Sequence, residues 1–263
     1  MLFLLSPAKK LDYDTPLHTQ QRSEPLFVKQ SKQLIAELKP KSVAEVGKLM
    51  TLSPALAQLN VDRYAQWVPK STQKNARPAI LAFNGDVYEG LVASTLNEKD
   101  LDWAQEHVVI LSGLYGALRP LDLMQPYRLE MGTKLNNPTG KNLYKFWKLY
   151  IAPYLNERLA ADNKMPEANT LPVIINLASE EYFKSVDINA LNASVVQCEF
   201  KEGQAGVFKI ISFYAKRARG LMTRYAIDNR AKNPDDLKTF NLEGYVYQPD
   251  LSSIKKLVFH RSA

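Results

Sequence analysis

Four short apolar runs constrain the fold of this chain more than any other feature. They are Leu-Phe-Leu-Leu at 2–5, Ala-Ile-Leu-Ala-Phe at 79–83, Val-Val-Ile-Leu at 108–111 and Val-Ile-Ile-Asn-Leu at 173–177. Each is shorter than an ordinary helix and none alternates polar with apolar, so each reads as a strand covered on both faces. Between them lie helical patterns at 26–38, 101–106 and 143–159, the last opening behind the turn cluster Asn-Pro-Thr-Gly. Strands alternating with helices specify an α/β fold with a largely parallel central sheet flanked by helices. Runs at 195–200 and 207–211, separated by Lys-Glu-Gly-Gln-Ala-Gly, read as a hairpin, and a short strand near 257–259 closes the chain. The sheet is therefore expected to be mixed.

Residues 26–67 break that rhythm. They hold no convincing strand, and Pro40, Ser42 and Ser53-Pro54 divide them into three or four short helices. Ser42 and Glu45 have capping-box spacing, and Pro54 sits where a first helical residue belongs. The reading is one α/β domain over 1–263 carrying a helical insertion at 26–67, with 69–78 a polar connector back to the sheet.

The chain has 263 residues, ample for a substantial core. Its net charge of +7 favours an anionic partner. A single cysteine, Cys198, excludes an internal disulfide, and its apolar strand context reads as an inert core thiol. The apolar start at 1–5 reads as a first strand rather than a signal, and no run reaches membrane length. A cytoplasmic protein with no membrane partner is expected. His18, His107 and His260 are far apart, so no metal site is expected. The dinucleotide, Walker and G-x-S-x-G fingerprints are absent, and no cofactor is expected.

The residues that follow the apolar runs share a chemistry. They are Ser6-Pro7-Ala8-Lys9, Asn84-Gly85-Asp86-Val87-Tyr88, Ser112-Gly113-Leu114-Tyr115, Ser179-Glu180-Glu181 with Lys184, and Ser212 ahead of a basic helix. Ligands in open α/β sheets sit beyond the carboxyl ends of the strands, where helix caps leave N–H groups facing an anion. Any one junction could be an ordinary cap, but five together favour a shared cleft. Ser6, Asn84, Tyr88, Ser112, Tyr115 and Ser179 are its expected polar groups, with Asp86 or Glu180 as a general base if the cleft is catalytic. In the basic helix, Ala215, Ala218, Leu221, Met222, Tyr225 and Ala226 form one face. Lys216, Arg217, Arg219 and Arg224 form the other around Gly220, where a phosphate could approach the backbone. No acidic residue falls between 215 and 227 to pair with them. Arg119 and Arg128, in the proline-containing loop 118–132, either grip phosphate or pair with Asp122 and Glu130.

Longer motifs run through the chain in order: Ser-Pro-Ala-Lys-Lys-Leu-Asp at 6–12 and Phe-Asn-Gly-Asp-Val-Tyr-Glu-Gly-Leu at 83–91. Leu-Ser-Gly-Leu-Tyr-Gly-Ala-Leu-Arg-Pro-Leu-Asp-Leu-Met-Gln-Pro-Tyr-Arg-Leu-Glu-Met-Gly follows at 111–132. Asn-Leu-Ala-Ser-Glu-Glu-Tyr-Phe-Lys at 176–184 and Lys-Ile-Ile-Ser-Phe-Tyr-Ala-Lys-Arg-Ala-Arg-Gly-Leu-Met at 209–222 complete the set. Together they resemble the YaaA family of bacterial peroxide-stress proteins over essentially the whole chain. The resemblance implies a single α/β fold with a positively charged cleft, a helix-hairpin-helix element and DNA binding. It also implies a cytoplasmic role in limiting iron-dependent oxidative damage.

The implied hairpin would fall in the helical insertion, at Lys39-Pro40-Lys41-Ser42 or at Thr51-Leu52-Ser53-Pro54. Neither has the hydrophobic-Gly-hydrophobic turn usual in that motif. Lys39, Lys41 and Lys48 would add charge there. Lys9, Arg119, Arg128, Lys184, Lys216, Arg217, Arg219 and Arg224 would line the cleft and read DNA by backbone and shape rather than sequence. The alternative is an enzyme acting on a nucleotide, nucleic acid or phosphorylated small molecule at the strand ends.

Overall fold

The structure is a computed structural model and describes residues 1–161, 171–204 and 206–262. The first half of the chain runs β1 (Leu2–Leu5), β2 (Lys10–Leu11), α1 (Val28–Leu38), α2 (Val43–Met50), α3 (Pro54–Gln66), β3 (Arg77–Pro78), α4 (Ala79–Ala82), β4 (Phe83–Asn84), α5 (Asp86–Leu91) and α6 (Glu98–His107). There follow β5 (Val108–Ser112), β6 (Gly116–Leu118), β7 (Leu123–Met124), α7 (Leu143–Trp147), α8 (Ile151–Ala161), β8 (Val173–Leu177) and α9 (Glu180–Phe183). The last part holds β9 (Ser194–Gln204), β10 (Val207–Lys209), α10 (Ser212–Asn229), β11 (Val246–Tyr247) and β12 (Lys256–Ser262).

Five parallel strands form the centre of the sheet in the order β5-β1-β8-β9-β12. Short antiparallel strands complete it: β6 beside β5, β11 beside β12 and β10 beside β9. The fold is thus α/β with a mixed, mostly parallel sheet. Numbered by appearance, the parallel strands run 2-1-3-4-5, a doubly wound order. The chain goes outward from β1 to β5, then crosses back to β8 on the far side of β1. Winding reverses between β1 and β8, and that gap is where such sheets open a crevice.

Parallel strands covered on both faces must be apolar throughout, and Phe3, Leu4 and Leu5 of β1 and all of 108–111 are fully buried. The Trp103 ring of α6 lies 6.0 Å from that of Phe3 and covers one face of the sheet. Phe200 of β9 meets Phe259 of β12 at 5.5 Å and Tyr245 at 5.6 Å, with Phe240 closing the cluster. Each such buried side chain contributes about 1.5–3 kcal/mol.

Three expectations from the sequence need correction. Residues 79–83 are not a sheet strand: 79–82 form the buried helix α4, and only Phe83 and Asn84 pair, with β2. Ala79 and Ile80 donate their N–H groups to the carbonyls of Asp122 and Pro120, and a short all-apolar run fits a buried helical turn as well as a strand. The pattern at 143–159 is two helices, α7 and α8. Pro153, in the first turn of α8, has no N–H to donate to the preceding turn, so one continuous helix is barred. The supposed turn at 201–206 is mostly strand, because β9 continues through Lys201 to Gln204.

The stretch 28–66 holds α1, α2 and α3. Ser42 and Glu45 form the reciprocal capping box that starts α2, and Ser53 caps α3 with Pro54 at its first position. Thr51, at φ 53°, closes α2 in the left-handed region, and the Leu52 N–H returns to the Gly47 carbonyl at 2.9 Å. Three residues therefore turn α2 directly into α3.

Candidate functional site: the strand-end polar cluster and its basic surroundings

The carboxyl ends of β5, β1 and β8 stand side by side and bring together Ser112, Ser6 and Ser179. The Ser6 hydroxyl accepts the Ser179 N–H at 2.8 Å and donates to the Ser179 hydroxyl at 3.3 Å, bridging the point of winding reversal. Tyr88 of α5 donates to the Ser6 carbonyl at 3.1 Å. Burial, with Tyr127 beside both, pushes the hydroxyls of Tyr88 and Tyr182 well above the usual tyrosine range, so they stay protonated. Ser112 shares a 2.6 Å hydrogen bond with Tyr127 and accepts the Tyr115 N–H.

Charge lies outside this buried layer. Lys9 reaches Glu130 at 2.9 Å and Arg128 reaches its other oxygen at 3.0 Å. Burial opposes ionisation of Glu130, but the hydrogen bonds and charges of Lys9 and Arg128 outweigh it, and its carboxyl sits below the ordinary glutamate range. Glu181 accepts the Gly132 N–H at 2.9 Å and ties α9 to the 118–132 loop. Asp86 heads α5, 3.7 Å from Lys216 of α10. Gly85 lies close to Ala8, so the β1 and β4 junctions are neighbours although β4 is outside the main sheet.

Several expected cleft residues have structural work instead. Ser112 and Tyr115 are buried, and the Tyr115 hydroxyl accepts from the Trp67 indole at 3.0 Å and the Gln125 N–H at 3.1 Å. Arg119 holds buried Asp122 at 2.9 Å and the Glu24 carbonyl at 3.1 Å. Burial raises the Asp122 carboxyl above the usual aspartate range, against the pull of Arg119 and Ser23. Lys184 sits 5.3 Å over the Tyr144 ring, Asn84 pairs in the short β2–β4 ladder, and Glu180 is exposed at the start of α9.

The basic helix packs as expected on its apolar face, with Ala215, Ala218, Leu221, Met222 and Ala226 buried. Gly220, however, is not open to a ligand. A Cβ there would stand 1.7 Å from the Val87 carbonyl, and one at Gly90 would stand 2.2 Å from the Arg217 carbonyl. The two glycines let α5 and α10 cross backbone to backbone. Three of the four cations have acidic partners outside the window that lacks acids. Arg217 pairs with Glu243 at 2.5 Å, Arg224 with Asp228 at 2.9 Å, and Lys216 with Asp86. Arg219 lies against Cys198, and burial pulls its guanidinium below the ordinary arginine range. In the helical stretch, Lys39 donates to the Trp67 carbonyl, while Lys48 is exposed and Lys41 half-exposed. Reasoning from sequence missed Tyr127 and Tyr182, which read as ordinary aromatics, and Arg77, hidden in what looked like a polar connector.

Among the described residues no group of three His, Cys, Asp or Glu is placed to hold a metal, and no helix is long and apolar enough to cross a membrane. The order of the sheet and the polar cluster at its reversal between β1 and β8 define a doubly wound α/β protein. Within that class the chain belongs to the family described as Peroxide stress protein YaaA, whose sequence profile matches residues 1–251. It is similar along its whole length to a UPF0246 protein of Bordetella petrii, 62% identical over 263 residues and covering 100% of both chains. A UPF0246 protein of Bordetella avium is 63% identical over 261 residues, 99% of each chain. One from a Polaromonas species is 59% identical over 261 residues, covering 99% of this chain and 98% of its own.

Proposed function

We propose that this member of a peroxide-stress family binds DNA through its phosphate backbone and thereby helps limit iron-dependent oxidative damage, with the α2–α3 helix pair as the main grip. The turn at 51–53 carries the reading. Left-handed Thr51 swings the chain so that Ser53 caps α3, and Leu56 is the first N–H taken by the cap, at 3.4 Å. Among the described residues the N–H groups of Ser53 and Ala55 have no acceptor, so they are free for a phosphate at the positive end of a 13-residue helix. Lys48, in the last turn of α2, supplies charge on the side of the turn, and Lys41, ahead of α2, adds charge at the other end of the helix pair. This is a helix-hairpin-helix reading without the usual glycines. The cations of α10, Lys9 and Arg128 act as a second, weaker contact, because exchanging a carboxylate for a phosphate gains less than engaging a free cation.

The test is fluorescence anisotropy of a short duplex across a salt series. Replacing both Lys41 and Lys48 with Ala should weaken binding and flatten the log–log salt slope by about 0.9 for each phosphate no longer neutralised. Replacing Lys216, Arg217 and Arg219 with Ala should have a smaller effect. Unchanged affinity and slope in the first variant, with its circular dichroism intact, would remove the helix pair from the interface.

A second reading, an enzyme acting on a nucleotide or phosphorylated small molecule, draws on the Lys216–Asp86 pair at the head of α5. Stabilisation of the wild type, but not of Asp86→Ala, by a nucleotide or phosphosugar in a thermal-shift screen would favour it.

A further inference from the structure

We propose that a second site, separate from the DNA-binding surface, takes a small zwitterion bearing one carboxylate and one ammonium, of the size and shape of an apolar amino acid. The site is a cavity of about 190 Å³ between the 12–18 loop, α4 and α5. Arg77 lines it with a side chain only 8% exposed. Its Nε donates to the Leu81 carbonyl at 3.0 Å, which leaves the four N–H groups on its η nitrogens. Among the described residues these have no hydrogen-bond acceptor. The one nearby carboxylate oxygen, Asp12 Oδ1, stands 4.0 Å from Nη1 and already accepts the N–H groups of Asp14 and Thr15 at 3.0 Å each. The η donors of this mostly buried guanidinium face the cavity without a protein acceptor, and a planar carboxylate would satisfy them with two parallel hydrogen bonds.

The same cavity holds the complementary charge. Glu89 lines it from α5, exposed, and among the described residues it has no cation within 4.0 Å. A guanidinium with free donors and a carboxylate that feels Arg217 only from beyond ion-pair distance thus line one small space without meeting each other. With Asp12 also present, the lining carries two carboxylates to one arginine, which disfavours a phosphate dianion and suits a ligand with both charges. Ile80, Phe83 and Val92 supply apolar wall for the rest of it. Val92 holds φ at 49°, a region a β-branched residue enters at a cost, so the rim is kept in shape by its surroundings. Asn84 adds an amide, and Tyr88 joins the cavity to the β1 strand end through its bond to Ser6.

The experiment is isothermal titration calorimetry of the full chain with L-leucine, L-methionine and L-phenylalanine. Two truncated probes accompany them: 4-methylpentanoate, which lacks the ammonium, and isoamylamine, which lacks the carboxylate. At least one amino acid should bind. Each truncated probe should bind about 10-fold more weakly than leucine, or not at all. Glu89→Gln, an exposed change that keeps the fold, should bring leucine down to the level of 4-methylpentanoate and leave 4-methylpentanoate no weaker. Arg77→Lys should weaken both. Failure of all three amino acids to bind the wild type at about 10 mM overturns the proposal, as does leucine binding that Glu89→Gln leaves unchanged. Binding of adenosine monophosphate to the wild type more tightly than leucine also overturns it, by giving Arg77 to a phosphate.

Discussion

Replacing Gly220 with alanine is a demanding test of the α5–α10 crossing. The new methyl would lie 1.7 Å from the Val87 carbonyl oxygen and 2.9 Å from the Leu91 nitrogen, where ordinary contact starts at 3.4 Å. Both neighbours are backbone, so no side chain can swing away. The helices must part by roughly 1.5 Å, and a gap of that size forfeits much of the dispersion attraction along their contact. Overpacking of this depth belongs at the upper end of the usual range, about 3 kcal/mol or more. Alanine returns about 1 kcal/mol of helix propensity, which leaves a net loss of at least about 2 kcal/mol. In a chain of this size that lowers Tm by about 4–8 °C, readable by circular dichroism. Gly47 in α2 is the control. A Cβ there meets Ala57 and Leu52 at 3.6 Å, so Gly47→Ala should stabilise by up to about 1 kcal/mol. If Gly220→Ala is as stable as the wild type, the close crossing is wrong and Gly220 faces open space.

Two further outcomes follow from the charges and the thiol. Burial pushes the Cys198 thiol up to about 12, so it should react with a disulfide reagent only as fast as the chain unfolds. Mass spectrometry after peroxide treatment should find it unoxidised in the folded protein, and rapid sulfenic acid formation would contradict that burial. Glu130 has a folded pKa below its unfolded value, so the stability it contributes is present above pH about 4.5 and is lost as pH falls through the folded value. Lys9→Ala should therefore lower Tm at pH 7 by an amount that shrinks as pH falls below about 4.5, and a pH-independent difference would rule out the Lys9–Glu130 pair as its cause.

The strands at 2–5, 108–112 and 173–177 were legible because parallel strands buried on both faces are apolar throughout, and their carboxyl ends pointed to Ser6 and Ser179, which the fold brings into hydrogen-bond contact. The run at 79–83 was not, because four apolar residues have no period, and its helical form depends on carbonyls from Pro120 and Asp122 some forty positions away. The caps at Ser42 and Ser53 were legible because capping is local. The pairing of the α10 cations was not: Glu243 and Asp86 reach the helix through tertiary folding, and Asp228 lies just past the window that seemed free of acids. Gly220 shows the same limit, since a glycine that admits a ligand and one that admits another helix look identical in one dimension. Arg77 drew no notice because its burial and idle donors exist only once the 12–18 loop folds over it.

The position of β1 bears on how the chain is made as well as on where its winding reverses. Phe3 pairs with Val108 on one side and Ile175 on the other. At about 5–20 residues per second, the hydrophobic leading segment would wait roughly 5–20 s for its first partner strand to be synthesised, and longer for the second. Residues 197–203 wait in turn for 256–262, the last strand of the sheet. Nascent chains of this family should therefore engage ribosome-associated chaperones early, and release that is premature, or truncation before residue 256, should send them into aggregates rather than into a smaller folded core.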